Sequence, residues 1–345
     1  MKKRILKLTV LAVFLLTGTG LCHAEEETRI FTDSAGRQVE VPAQIRSIIP
    51  SGNMAQMFLW PLASDRLASV AQPLTKEQEI YLGDSTEGLP ETGNLYMTGS
   101  QLNIEEVASV KPDIIIDFGE AKETIAEDLD NLQNLLGIPC VFIGGGLESS
   151  ADSYRMLGEL LGMEEEAGEL AAYIETVTDT VQEVFKTADK KECVVLNGTD
   201  GLGCVASGTY FDEIWAYMMK NAAQTDGAQM YAATTIDLEQ LANWDPEYLF
   251  FYNSQDPEEI IEESVWKELT AVKNGNYYEV PGLPYSFVSP PTVNRYLAAV
   301  WIAGIVYPDE FEWDTEEMIK EYYRLFYHYD LSDREYEEII SGAES

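Results

Sequence analysis

Histidine is almost missing from this sequence, with two in 345 residues, and only His328 lies beyond the first 24. That leaves too few imidazoles for a usual catalytic triad or zinc site. The signatures GxSxG, GxxxxGK(S/T) and HExxH are absent as well. The runs Gly144-Gly145-Gly146 and Gly201-Leu202-Gly203 do not complete GxGxxG, so no dinucleotide site is indicated. Positive charge is scarce: 22 Lys and Arg face 60 Asp and Glu, for a net charge of −38. Nucleic acid and anionic lipid are poor partners for such a chain, and the charge serves solubility. Cysteine is sparse too. Cys22 is N-terminal, and Cys140, Cys193 and Cys204 show no CxxC spacing. Cys140 and Cys193 sit in apolar runs, which reads as core, with a Cys193–Cys204 disulfide left open.

Beyond the N-terminus no apolar run reaches the ~20 residues that span a bilayer. The N-terminus itself opens Met1-Lys2-Lys3-Arg4, continues as an apolar run from Ile5 to Leu16, and turns small towards Ala24. This is the pattern of a secretory signal peptide over residues 1–24. Cys22-His23-Ala24 offers a small-x-small cleavage site, so a mature chain from Glu25 is preferred; the alternative is a lipid anchor on Cys22, in the poor lipoprotein box Gly20-Leu21-Cys22. Either product works beyond the cytoplasmic membrane, in a periplasm or at the cell surface. Removing residues 1–24 takes away four bases and no acids, leaving 18 basic against 60 acidic side chains, or −42.

What the chain does contain is a copy of part of itself. The stretch from Leu102 to Ile116 (LNIEEVASVKPDIII) aligns without a gap with Ile236 to Phe250 (IDLEQLANWDPEYLF). In each, Asn or Asp caps a short helix, Pro follows two residues before a strand, and apolar residues form that strand. The flanks repeat as well. Arg46 to Pro50 and Cys193 to Leu196 are apolar strands that each lead through a loop into a helix, and Gly137 to Ile143 and Gly275 to Val280 read as the next parallel strand. Alternating strands and helices predict an α/β fold, two Rossmann-like lobes with parallel sheets. Between them Leu170, Ile174, Val177, Val181 and Val184 keep helical spacing, and residues 164–187 would make a rod of about 36 Å. The expected organisation is an N-terminal lobe over 25–152, a linker helix region over 153–187 and a second lobe over 188–345, ending in helices packed on that lobe. No Gly- or Ser-rich linker separates the lobes, so the bridge is stiff.

With this organisation the sequence resembles the periplasmic substrate-binding proteins of ABC importers for iron–siderophore, haem and vitamin B12, in which one long helix bridges two α/β lobes. The resemblance covers nearly all of residues 29–310. It rests on Asp33 to Pro42 as an opening hairpin, on Asn103-Ile104-Glu105 with Lys111 to Ile116, and on Trp266 to Gly275 before the last strand. The ending from Pro290 to Arg295 and on to Pro308 resembles a subgroup that includes molybdate and tungstate binders. The resemblance implies a small-molecule ligand, a membrane permease dimer as partner, and no catalysis or resident cofactor. It also implies one surface glutamate per lobe that docks on the permease; the repeat places these at Glu105 and Glu239. Against this stands the helix dipole, which accounts for an acid in a first helical turn without any partner.

Ligands of open α/β sheets lie beyond the C-terminal ends of the strands, so the loops there should line an interlobe cleft. The candidate ligand-binding residues are Ser51, Asn53, Tyr96, Glu120, Tyr210, Tyr285, Ser289, Asn294 and Arg295, with Phe287 as a further stacking surface beside the tyrosines. Ser289-Pro290-Pro291 reads as a helix start whose free N–H groups would suit an oxyanion or carboxylate. Among cations these loops contain Lys122 and Arg295 only, which disfavours highly anionic ferric catecholates, and the lack of histidine weakens haem and bare metals. The preferred ligand is therefore a neutral or mildly charged chelate, a hydroxamate siderophore or corrinoid (cobalamin-like) molecule; the alternatives are a molybdate- or tungstate-type oxyanion, or an extracytoplasmic α/β enzyme. No protein-held metal site is expected.

Overall fold

The computed structural model describes residues 27–96, 101–225, 233–254, 256–262 and 265–341. The signal-peptide and Cys22 expectations lie outside them, as do residues 97–99 and 255 of two loops expected to line the cleft.

The chain opens with an antiparallel hairpin, β1 (Thr28–Thr32) and β2 (Gln38–Pro42). The first lobe follows: β3 (Ile48–Pro50), α1 (Asn53–Ala63), α2 (Lys76–Leu82), α3 (Ile104–Val110), β4 (Ile114–Gly119), α4 (Ile125–Leu136), β5 (Cys140–Gly144) and α5 (Ser150–Leu161). Its strands pair in parallel in the order β3-β4-β5, with Ile48 opposite Ile114 and Ile115 opposite Cys140. Strands covered on both faces should be apolar throughout, and β4 is buried along its whole length.

After α6 (Glu164–Val184) come β6 (Glu192–Gly198), β7 (Gly203–Cys204), α7 (Glu213–Met218), β8 (Lys220–Asn221), β9 (Thr234–Thr235), α8 (Leu238–Trp244), β10 (Tyr248–Ser254), α9 (Pro257–Ile261), α10 (Thr270–Asn274) and β11 (Tyr277–Glu279). The second sheet runs β11-β10-β6-β7-β9, with β8 also on β6. Here the parallel expectation needs correcting. β10, β11 and β8 are parallel to their neighbours, but β7 and β9 are antiparallel, because the Gly-rich turn after β6 folds the chain straight back on itself. Cys204 lies opposite Leu196, not Cys193, and all three described cysteines are buried free thiols.

The internal repeat survives in atomic detail. Asn103 accepts a hydrogen bond from Glu106 N at 3.2 Å, and Asp237 from Gln240 N at 2.8 Å, each capping its helix. Such caps contribute about 1 kcal/mol apiece. Both helices end on a residue in the left-handed region, Lys111 (φ 54°) and Asp245 (φ 40°), at matched positions just before a proline. A left-handed residue followed by proline stops the helix and turns the chain into the next strand.

The linker is a 21-residue helix ending at Val184, shorter than the expected rod, or about 30 Å. It packs tightly on α5: a Cβ added to Gly158 would come within 2.5 Å of the Ala167 Cβ, so only glycine permits this approach. Gly162, left-handed at φ 68°, separates the two helices.

Helix α11 (Asn294–Val306) is buried on nearly every side, as an all-round apolar helix must be. The C-terminal segment then forms α12 (Thr315–Tyr322), a π-helical turn (Tyr323–Tyr327) and α13 (Asp333–Ile340). It does not belong to the second lobe alone. Tyr173 of α6 donates to Met318 O at 3.0 Å, Tyr81 of α2 meets the rings of Tyr323 and Tyr329, and Phe326 packs on Tyr154 of α5, while Tyr323 donates to Leu283 O in the second lobe. The C-terminal helices, expected to pack on the second lobe, reach the first lobe and the linker as well through these aromatic side chains. His328, exposed, ends the turn in a left-handed conformation (φ 56°). Among the described residues no helix is long and apolar enough to cross a membrane.

Candidate functional site

The cleft lies where the C-terminal ends of the two sheets face each other. On the first-lobe side, the loop after β3 is tied down by Ser51 N to Ile116 O (2.9 Å) and Leu95 N to Ser51 O (2.7 Å). The Ser51 hydroxyl donates to Asp117, and both side chains are buried. Asn53 N donates to Asn94 Oδ1 at 2.7 Å, and the Asn53 amide donates to Gln72 Oε1 at 3.0 Å. Gly52 is required between them, since a Cβ there would lie 2.7 Å from Asn94 Oδ1. Tyr96 stands at the outer edge with the Lys122 ammonium 3.1 Å from its ring centroid, a cation–π contact. Burial pushes the Tyr96 phenol up and the Lys122 ammonium down. Glu120 is exposed and lines a separate cavity of about 400 Å³, with Gly144 to Gly146, Ser149 and Asp152.

From the second lobe, the Tyr210 hydroxyl donates to Pro291 O at 3.4 Å and lies 3.9 Å from the Met54 sulfur of α1. Thr292 Oγ1 likewise reaches the Met57 sulfur at 3.9 Å, so the lobes touch along α1. Deeper in, Arg295 is fully buried: its Nε donates to Thr292 O at 2.9 Å and its Nη1 pairs with Glu213, while Nη2 finds no partner among the described residues. Glu213 in turn accepts from Leu147 N of the first lobe at 3.1 Å, and Tyr296 donates to Leu147 O at 2.6 Å.

Of the residues named from sequence, Asn53, Tyr285 and Ser289 share one cavity of about 290 Å³ between the lobes. Glu120, Tyr96 and Ser51 are not among its described lining residues: Glu120 lines the separate cavity, Tyr96 stands against Lys122, and Ser51 is buried with Asp117. Three expectations need correction. No helix begins at Ser289: α11 starts at Asn294, because Pro291 disfavours the helical conformation at the residue before it. Asn294 is buried, its amide donates to Ser286 O and its oxygen accepts from Thr292, so it braces the loop and leaves nothing for a ligand. Phe287 is core, set edge-on against Trp301.

Sequence reasoning missed Asp117 and Glu213. The first carried a signal, a lone carboxylate inside the apolar run Ile114 to Phe118; burial raises it to about 6, against the opposing hydrogen bond from Ser51. Glu213 carried none, being one more acid among many. Gln56, Gln72 and Ser286 also line the shared cavity.

Residues 83–283 match the family model of the periplasmic binding proteins. A molybdate-binding protein, MolA of Haemophilus influenzae, is 25% identical over 87% of this chain and 91% of its own. The Fe(3+)-citrate-binding protein YfmC of Bacillus subtilis is 27% identical over 53% of this chain, and the match spans 58% of that relative's length. An ABC transporter solute binding protein from Sulfurospirillum deleyianum superposes with a TM-score of 0.81 over 90% of this chain and 98% of its own, at 24% identity, which establishes the same two-lobed fold. Matched over more than half its length, the chain belongs to the periplasmic binding protein family.

Proposed function

We propose that the protein captures a neutral or weakly charged metal chelate, of hydroxamate-siderophore or corrinoid type, between its lobes and releases it unchanged to a membrane permease. The observation that carries this reading is the lining of the 290 Å³ cavity. Asn53, Gln72 and Gln78 line it with amides, Thr75, Tyr285, Ser286 and Ser289 with hydroxyls, and Met57 and Leu74 with apolar surface, and no charged side chain is among its described lining residues. Hydrogen-bonding capacity without fixed charge suits a ligand whose own charge is already neutralised by its metal. The Fe(3+)-citrate relative is in keeping with an iron chelate as cargo.

A second reading, an oxyanion of the molybdate type, is favoured by the spare Nη2 donor on buried Arg295 and by the MolA likeness. Titrating the purified protein with ferric hydroxamates, corrinoids and molybdate while following its melting temperature separates the two, because a ligand stabilises the folded state it binds by mass action. Stabilisation by molybdate and by no chelate would replace the first reading with the second. Mass spectrometry of the released ligand shows whether it leaves unaltered.

Docking is assigned to Glu105 and Glu239, both exposed in the first turns of α3 and α8. Supporting the assignment, the two glutamates occupy matched positions of the internal repeat, each in the first turn of a helix capped by the residue two before it. Glu105→Arg combined with Glu239→Arg should abolish uptake while leaving ligand affinity unchanged; unchanged uptake refutes the assignment.

A further inference from the structure

The first lobe carries a second concave surface at the end opposite the cleft. It is a groove of about 770 Å³ formed by the segment leading into β3, by the 3₁₀ turn after α1 and by the C-terminal end of α5. Arg29, Arg46 and Arg66 all line it. Of the eight described arginines, five are ion-paired to carboxylates: Arg37, Arg155, Arg295, Arg324 and Arg334. The three that have no carboxylate at ion-pair distance among the described residues are the three in this groove. In a chain with 60 acids this is not a shortage of counter-ions. Asp65, Glu159 and Glu164 line the same groove without pairing to them.

The guanidiniums of Arg29 and Arg66 are held in place by backbone carbonyls. Arg29 Nη2 donates to Glu159 O (3.0 Å) and Leu160 O (2.7 Å), and Arg66 Nη1 to Ile45 O (3.2 Å) and Leu161 O (3.1 Å). Arg46 donates to Gln44 Oε1. Capping the last carbonyls of α5 accounts for part of what Arg29 and Arg66 do. It does not account for Arg46, nor for the Nε and second Nη of each capping arginine, which make no hydrogen bond among the described residues. Fixed guanidinium forks with free N–H groups bind tetrahedral oxyanions without the cost of ordering the side chains.

We propose that this groove is an anion site, separate from the cleft, that binds a phosphate group through Arg46 together with the free donors of Arg29 and Arg66. The phosphate group comes free in solution or on a lipid headgroup; the net charge of −38 favours the former by repelling an anionic bilayer.

The test uses the full mature protein at low salt. Calorimetric titration with inorganic phosphate and pyrophosphate is compared with co-sedimentation on vesicles containing phosphatidylglycerol. Saturable binding is expected, with pyrophosphate tighter than phosphate and both weakened by salt. Arg46→Gln, an exposed change that leaves the helix caps intact, should weaken binding about tenfold. Arg66→Gln should weaken it further, and the melting curve of each variant reports whether the fold is kept. Binding to vesicles without binding of free phosphate would assign the groove to headgroups. No binding of either, or affinity unchanged in folded Arg46→Gln, overturns the proposal.

Discussion

Removing either partner of the Glu213–Arg295 pair should give very unequal results. Arg295 is 0% exposed in its side chain, whereas the Glu213 side chain is 30% exposed. Glu213→Ala leaves a guanidinium sealed in the protein with Nη1 and Nη2 both unpartnered, and breaking a buried pair this way costs about 3–5 kcal/mol. Arg295→Met leaves a carboxylate that water can reach and that keeps its bond from Leu147 N, so the loss should be about 1–2 kcal/mol. The double variant should recover much of the Glu213→Ala loss, since the orphaned charge is gone. Glu213→Gln, which still accepts from Leu147 N, controls for that contact. Urea unfolding monitored by tryptophan fluorescence gives the free energies, and thermal melting should drop by at least about 6 °C for Glu213→Ala. If Arg295→Met costs as much as Glu213→Ala, the reasoning is refuted: attraction between the charges, not a stranded buried cation, would then set the penalty.

Two further outcomes follow from the same geometry. Asp117 has a folded-state value raised to about 6 from 3.8, so the native state binds its proton more tightly than the unfolded chain; this stabilising contribution is complete below about pH 4 and is lost as pH rises through 6. At about 1.4 kcal/mol per unit the difference approaches 3 kcal/mol, and Asp117→Asn should flatten the stability profile between pH 4 and 6 and exceed wild type at pH 7.5; identical profiles would contradict it. Gly158→Val should prise α5 from α6 and destabilise by about 1–3 kcal/mol, read as a lower urea midpoint; an unchanged midpoint would show that the helices yield.

Much of the architecture was readable because it is written locally. Helix caps, the helix-Pro-strand units and apolar strands depend on neighbours a few residues away, and Asn103, Asp237, Pro112 and Pro246 carried that information. The site was less readable. Gly, Ser and Asn serve turns and ligands alike, so sequence could name the loops but not divide them into walls and braces: Asn53 faces the cavity, while Asn294 is consumed by its own loop.

The sequence by itself determined the export pattern, the repeat and hence two related α/β lobes, and the scarcity of cations that constrains the ligand. Only the tertiary structure decided that Arg295 is buried against Glu213, that Asp117 lies behind Ser51, that the C-terminal helices seal both lobes, and that three unpaired arginines share one groove. Each of these depends on segments far apart in the chain, as Glu213 and Arg295 are, or Arg29 and the end of α5. Burial and charge pairing are properties of such juxtapositions, and no local pattern encodes them.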